Sequence, residues 1–252
     1  MVVGSGSMLT KNAYLYPFAH VGQTQITIGS TLVPVLLASD QIHLTNFSGD
    51  KKLCSVYMSI GNVKSTLRNK STMNAWIRNA LLPIAPKRLD KIPTCPAEAQ
   101  ELDALQISHE FLRSILIPLS DARSKQCFQM EFCDENVRSC VPRVSAWLAD
   151  HMENVMIYGI TSNCCPICIT PPNEFGELQD TSYDTRTHLR YATAYHNSVI
   201  EQLESNGVKN VNIALWHLPH CESNDIVRPN TVYTLLRGIL FHMGKWVQEF
   251  LE

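Results

Sequence analysis

Hydrophobic and polar positions alternate between two textures along the chain. Leu32-Val33-Pro34-Val35-Leu36-Leu37-Ala38 is a short unbroken apolar run that stops at Ser39-Asp40, which predicts a buried strand. Ser55–Ile60, punctuated by Gly61-Asn62, predicts a second strand, and Trp76–Ile84, bounded by Pro83 and Pro86, a third. At Pro96 the texture becomes helical: proline is favourable at a helix start, and Leu102, Leu105, Phe111, Leu112 and Ile115 form an apolar stripe. Phe128–Phe132 alternates like a strand and stops at Cys133-Asp134. Val137–Met152, with Val141, Val144, Trp147 and Leu148 on one face, predicts a helix, and Val155–Tyr158 a strand after it. Arg186–Ser205 predicts a helix closed by Asn206-Gly207, and Thr231–Leu251 a last helix.

The resulting order, β-β-β-α-β-α-β followed by a cysteine-rich loop and two helices, predicts an α/β fold with a mixed sheet flanked by helices. That order fits an RNase H-like fold. Residues 1–23, with Gly4-Ser5-Gly6-Ser7, are expected to form a flexible N-terminal segment. Residues 24–160 would hold the RNase H-like core and 161–252 a Cys/His insertion and helical region. There are no internal repeats.

Composition narrows this reading only slightly. With 252 residues, 45% hydrophobic and 17% charged, the chain can bury a substantial core. The formal net charge of -2 argues against a stand-alone DNA-binding module, although a local basic patch is compatible with it. Nine cysteines in irregular spacing do not form a disulfide framework. No signal peptide is legible, and the apolar runs are too short to span a bilayer, so a secreted or membrane location is not expected. No nuclear-localisation run of Lys and Arg is present.

Candidate chemistry lies at predicted strand ends. Asp40 ends the first strand and Asp134 the fourth, strands that lie side by side in an RNase H-like sheet. Hard carboxylate oxygens suit Mg²⁺ or Mn²⁺, and two such ions clamp the attacking and leaving oxygens of a phosphodiester. Asp is also an ordinary turn residue. Asp150 is the rival for the second ligand and takes the role if it lies closer to Asp40. Cys165-Pro166-Ile167-Cys168 is a C-x-x-C able to grip Zn²⁺, and His217-Leu218-Pro219-His220 offers an H-x-x-H downstream. The two pairs are farther apart than in a compact zinc finger; reduced cysteines with surface histidines, or a redox pair, are the competing readings. Zinc held by Cys165, Cys168, His217 and His220 is the expectation. The remaining cysteines, and His43, His109, His188 and His196, carry no visible motif.

Three blocks carry a family resemblance. The first runs from Gly29 through Ser39-Asp40, Phe47-Ser48-Gly49-Asp50 and Val56-Tyr57-Met58-Ser59-Ile60-Gly61-Asn62-Val63. The second contains Asp134 to Arg138, Trp147-Leu148-Ala149-Asp150-His151, the C-x-x-C and Pro172 to Glu177. The third is Leu215-Trp216-His217-Leu218-Pro219-His220-Cys221, then Arg237-Gly238 and Lys245-Trp246. Over most of residues 25–250 the chain resembles the transposases of Plavaka elements, CACTA-related DNA transposons of fungi. The resemblance implies a nuclear DDE-type transposase, RNase H-like, cleaving and joining DNA at transposon ends with Mg²⁺ or Mn²⁺. It also implies a zinc-binding Cys/His insertion, like that of V(D)J recombinase relatives. Asp40 matches the family's first acid, and Asp134 or Asp150 its second, with Asp134 preferred. DNA is the expected partner and homo-oligomerisation is open. Where the family has an H-x-x-H near its end, this sequence has Tyr233 and Leu236, and the third acid is expected beyond Glu252. The chain is therefore expected to be a truncated core, inactive alone. The alternative is a non-catalytic, zinc-stabilised DNA- or protein-binding domain of transposon origin.

Overall fold

The computed structural model describes residues 29–43, 52–83, 97–121, 128–132, 134–174, 184–218, 223–229 and 240–251. Its centre is a six-stranded mixed sheet. The strands are β1 (Thr31–His43), β2 (Lys52–Ile60), β3 (Ile77–Leu82), β4 (Phe128–Glu131), β5 (Val137–Ala149) and β6 (Val227–Pro229). Five of them lie in the order β3-β2-β1-β5-β4, and β6 pairs with the C-terminal end of β5. β1, β2 and β3 form an antiparallel meander, β5 runs parallel to β1, and β6 runs parallel to β5. An extra residue in β5 shifts its register against β1 between Val35 and Leu36, and the β2–β3 register shifts between Val56 and Tyr57; such irregularities increase local twist.

The helices are α1 (Ser65–Arg68), α2 (Ala97–Asp121), α3 (His151–Tyr158), α4 (His188–His196), α5 (Ile200–Glu204), α6 (Ser223–Ile226) and α7 (Phe241–Leu251). α2 buries Leu105, His109, Leu112 and Leu116, one stripe at helical spacing, whereas Phe111 of the expected stripe faces solvent. The helix packs against the 3₁₀ turn Ala214–His217, β3 and β5. His109 is fully buried there, its Nδ1 accepting the Ala214 N–H at 3.3 Å. Burial, aided by Arg113, lowers its pKa to about 4, with the Met156 backbone pulling the other way. It is a neutral core histidine that locks α2 to the turn. One hydrophobic cluster extends from Val35 and Val56 through Trp147 and Ile157 to Leu203, Ile213 and Ile226.

The first three strands, the long helix and the fourth strand match the sequence pattern. Two assignments are corrected. Residues 137–149 form a strand where a helix was predicted, and 151–158 form a helix where the run from Val155 predicted a strand. β5 is flanked by β1 on one side and by β4 and β6 on the other, and it is buried almost continuously from Cys140 to Ala149. A strand covered on both faces loses its alternation. Its apolar positions then mimic helical spacing, although Pro142 and three valines in the segment oppose a helix. α3 is set by its ends. Asp150 caps it through the Glu153 N–H (2.7 Å), and Gly159, at φ +60°, closes it with bonds from Gly159 N to Met156 O and from Ile160 N to Val155 O. The predicted helix at 186–205 is two helices, α4 and α5, separated at Ser198, whose φ is 57°. Residues 231–239 of the expected last helix lie outside the described residues.

Gly159 holds more than a helix end. A Cβ built on it would stand 2.1 Å from Cδ1 of buried Ile213. Gly159→Ala is expected to cost about 2 kcal/mol or more, from left-handed strain plus overpacking. Gly244→Ala, in α7 with nothing near its Cβ, should be neutral or stabilising by up to ~1 kcal/mol. Urea unfolding midpoints check the pair; equal midpoints for the two variants would count against this packing.

Candidate functional site

The parallel register of β1 and β5 determines which acids meet. The last β1–β5 pair is Ala38 with Leu148, two residues before Asp40 and Asp150 respectively, and both acids are close enough to act electrostatically on Glu153 and Cys54. Neighbouring strands are about 4.8 Å apart. Asp40 does not end β1, as its sequence suggests, but is paired with Ser55 three residues before the strand closes at His43; it is exposed, whereas Asp150 is half-buried just past β5, at the start of α3.

Asp134 is elsewhere. It precedes β5, at the opposite end of a thirteen-residue strand that runs about 40 Å. It sits in the β4–β5 turn, its side chain about half exposed, where Arg138 grips it in a two-pronged pair (Nη1 to Oδ1, 2.7 Å) and itself stacks 4.6 Å from the Phe132 ring. Hydrogen bonds from Arg138 and Asn136 hold its carboxyl well below the usual range. The expected pairing of Asp40 with Asp134 is not formed, because the strand beside β1 is β5 and Asp134 lies at its start. Asp150 takes the position beside Asp40.

A third acid, Glu153, joins these two and was not singled out from sequence. It lies one turn into α3, only 7% exposed. Its Oε2 accepts the Ser39 hydroxyl at 2.8 Å, and Ser39 Oγ accepts the indole N–H of Trp147 at 3.1 Å. The Cys54 thiol faces Oε1 at 3.9 Å. Burial raises the Glu153 pKa, and the charges of Asp150 and Asp40 add to that. Burial, then the neighbouring Glu153, pushes the Cys54 thiol up to about 12. The available sequence signal was the Asp-x-x-Glu spacing of a capping box. Here the glutamate turns into the core instead of back onto the cap.

Asp150, Glu153 and Cys54, but not Asp40, border a cavity of about 590 Å³ between α2, α3 and the end of β3. Gln41, Asp150, Glu153, Glu101, Met156 and Lys209 are among its walls. Among the described residues, no three His, Cys, Asp or Glu side chains are gathered in a metal-holding arrangement.

The cysteine loop is a separate structure. The Ile167 N–H points at Cys165 Sγ (3.4 Å), and Cys168 Sγ lies 2.9 Å from Thr170 Oγ1. Burial alone would raise the Cys168 thiol. Contacts from Thr170 and Cys165 and the charge of Arg186 outweigh it and leave the thiol below its ordinary value. Buried Arg186 staples the loop, donating to Cys165 O and Asn206 O, both at 2.7 Å. Cys164 packs instead against Gly207 and Thr161. The two cysteines of the C-x-x-C are thus together. His217 lies on the turn after α5, its Nε2 2.9 Å from Asn212 Oδ1 and its pKa lowered chiefly by burial. His220 lies outside the described residues.

A family model described as Plavaka transposase matches residues 9–247, nearly the whole chain, and the chain belongs to the Plavaka transposase family. No curated protein matches it. No helix among the described residues is long and apolar enough to cross a membrane.

The raised Glu153 pKa has a definite sign in stability. The fold favours the protonated carboxyl, so this contribution is fully present below the ordinary value of 4.5 and is lost as pH rises through the folded-state value. Wild type should lose stability between pH 4.5 and 8 relative to Glu153→Gln, which cannot ionise. Urea titrations at both pH values measure it; parallel pH dependences for the two proteins would contradict the burial of this acid.

Proposed function

We propose that this chain is the RNase H-like core of a DDE-type transposase, working on the phosphodiesters of transposon-end DNA in the nucleus, with Asp40 and Asp150 as ligands of its divalent metal. The observation that supports this reading is the parallel β1–β5 register, whose last pair, Ala38 with Leu148, lies two residues before each of the two acids. The meander of β1, β2 and β3 followed by parallel β5 and β6 supports the RNase H-like assignment. The donor chemistry fits a hard cation: two carboxylates on adjacent strands, with Glu153 held behind them. A divalent ion bound there supplies charge neutralisation at the phosphodiester oxygens. The protein's own part is to hold the carboxylates still, through the cap at Asp150 and the bond from Ser39, the neighbour of Asp40.

The test uses Mg²⁺ and Mn²⁺ as probes. At tenfold above its dissociation constant, a ligand of the folded state adds about 1.4 kcal/mol, a few degrees in Tm for a chain of this size. Wild type should show that shift, and Asp40→Asn and Asp150→Asn should each lose it, while Asp134→Asn keeps it. Loss in Asp134→Asn alone would reverse the assignment. Incubation with transposon-end duplex and Mn²⁺ then separates the two functional readings. Nicking abolished by Asp150→Asn supports the transposase core, and metal binding without nicking supports a non-catalytic DNA-binding domain.

For the cysteine loop the proposal is a zinc site built on Cys165 and Cys168. The Ile167 N–H directed at sulfur and the lowered Cys168 thiol support thiolate character. Metal analysis should give about one zinc per chain, lost in the Cys165→Ser/Cys168→Ser double variant. Full zinc content in that variant would move the site elsewhere. Zinc retained in His217→Ala would remove only the histidine from the ligand set.

A further inference from the structure

We propose that Lys209 is a phosphodiester-binding residue of the acidic cleft, holding the DNA strand against Asp40 and Asp150; the inference rests on the DNA-processing reading above. Among the described residues lining the 590 Å³ cavity, Lys209 is the one cation, and the other charged ones are Asp150, Glu153 and Glu101. On charge alone such a cleft repels a phosphodiester. A strand entering it needs a positive group already in place as well as the metal.

The backbone supplies that placement. The Lys209 N–H donates to Gly159 O at 2.7 Å, and Lys209 O accepts the Val211 N–H at 2.8 Å. Val208, just before it, bridges to Ile160, and both Val208 and Val211 are buried. Lys209 is thereby fixed to the C-terminal end of α3, the helix whose N-terminal end carries Asp150 and Glu153. An eight-residue helix spans about 12 Å. Lys209 and the carboxylates of Asp150 and Glu153, tied to opposite ends of this helix, line the same cavity. Lys209 is half-buried, and among the described residues it makes no ion pair despite three carboxylates lining the same cavity. A lysine that were merely a structural counter-ion would be found paired with one of them. As a compact point charge, lysine suits phosphate.

The experiment uses the full chain, a fluorescein-labelled 30-base-pair duplex of arbitrary sequence, and Ca²⁺ as the divalent ion. Binding is followed by anisotropy from 50 to 200 mM salt. Lys209→Ala should weaken binding about five- to tenfold at the low end and lower the slope of log K against log salt by ~0.9, the signature of one lost phosphate contact. Lys209→Arg should restore the slope. In wild type the duplex should protect Lys209 from acetylation by an amine-reactive ester, read by mass spectrometry, while exposed Lys70 stays reactive. Unchanged affinity and slope in Lys209→Ala, or equal acetylation with and without DNA, would overturn the assignment and leave the functional reading standing. A wild-type chain that binds no DNA would overturn both.

Discussion

The site depends on one buried hydrogen-bond chain. The Trp147 indole donates to Ser39, and Ser39 donates to the Glu153 carboxylate. The three groups come from β5, β1 and α3, the three elements that carry the acids. Ser39 is the neighbour of Asp40, and Asp150 lies midway between Trp147 and Glu153. A hydrogen bond to a carboxylate contributes about 1.5–3 kcal/mol, and losing one partner from a buried chain costs more, because the remaining groups are left without water. Breaking the chain at Ser39 would release β1 from α3 and let the two aspartates move apart. Trp147, with no exposed surface, anchors it in the same hydrophobic cluster that binds α2 and the turn at 214–217 to the sheet.

This arrangement carries an electrostatic cost that makes functional sense. Glu153 is shut away from water beside two other acids, and its raised pKa records the penalty. A fold selected for stability alone has little reason to keep three carboxyls at one sheet edge, since an apolar residue of similar size in the Glu153 position removes the penalty. A cation in the cleft removes it too. Asp134 is the useful contrast. It belongs to the same hairpin as β5, but it is exposed, gripped by Arg138, and satisfied without any ligand. One acid closes a turn; the others leave charge for something else to balance.

How much of this was legible in the sequence follows from which faces are covered. β1, as a short unbroken apolar run, and α2, with one covered side and a stripe of period 3.6, kept legible patterns. β5 did not, and reading it as a helix displaced the neighbour of β1 and, with it, the partner of Asp40. The residues of α3 have strand-like side chains from Val155 to Tyr158, and only the cap at Asp150 and the left-handed Gly159 decide their conformation. The C-x-x-C was visible because its chemistry is local to four residues. Whether histidines complete it depends on chain paths that no local pattern encodes: the His217 ring is engaged by Asn212, five residues back along its own loop.

Glu153 and Lys209 escaped sequence reasoning for a related reason. Neither has a motif of its own; each acquires meaning from α3, one turned inward near its start and the other tied by its backbone to its end. The helix is short enough for a carboxylate and an ammonium at opposite ends to line one cavity, and the Gly159 turn holds that separation, since a side chain there would run into Ile213. Acids alone attract metal and repel a nucleic-acid backbone, whereas a cation alone would hold that backbone wherever it met it. On the proposed reading, acids and a lysine tied to the two ends of one short helix would give a phosphodiester strand a preferred line through the cleft. Alignment of that kind, rather than bulk charge, is how the proposed site would engage DNA on a protein with a net charge of -2.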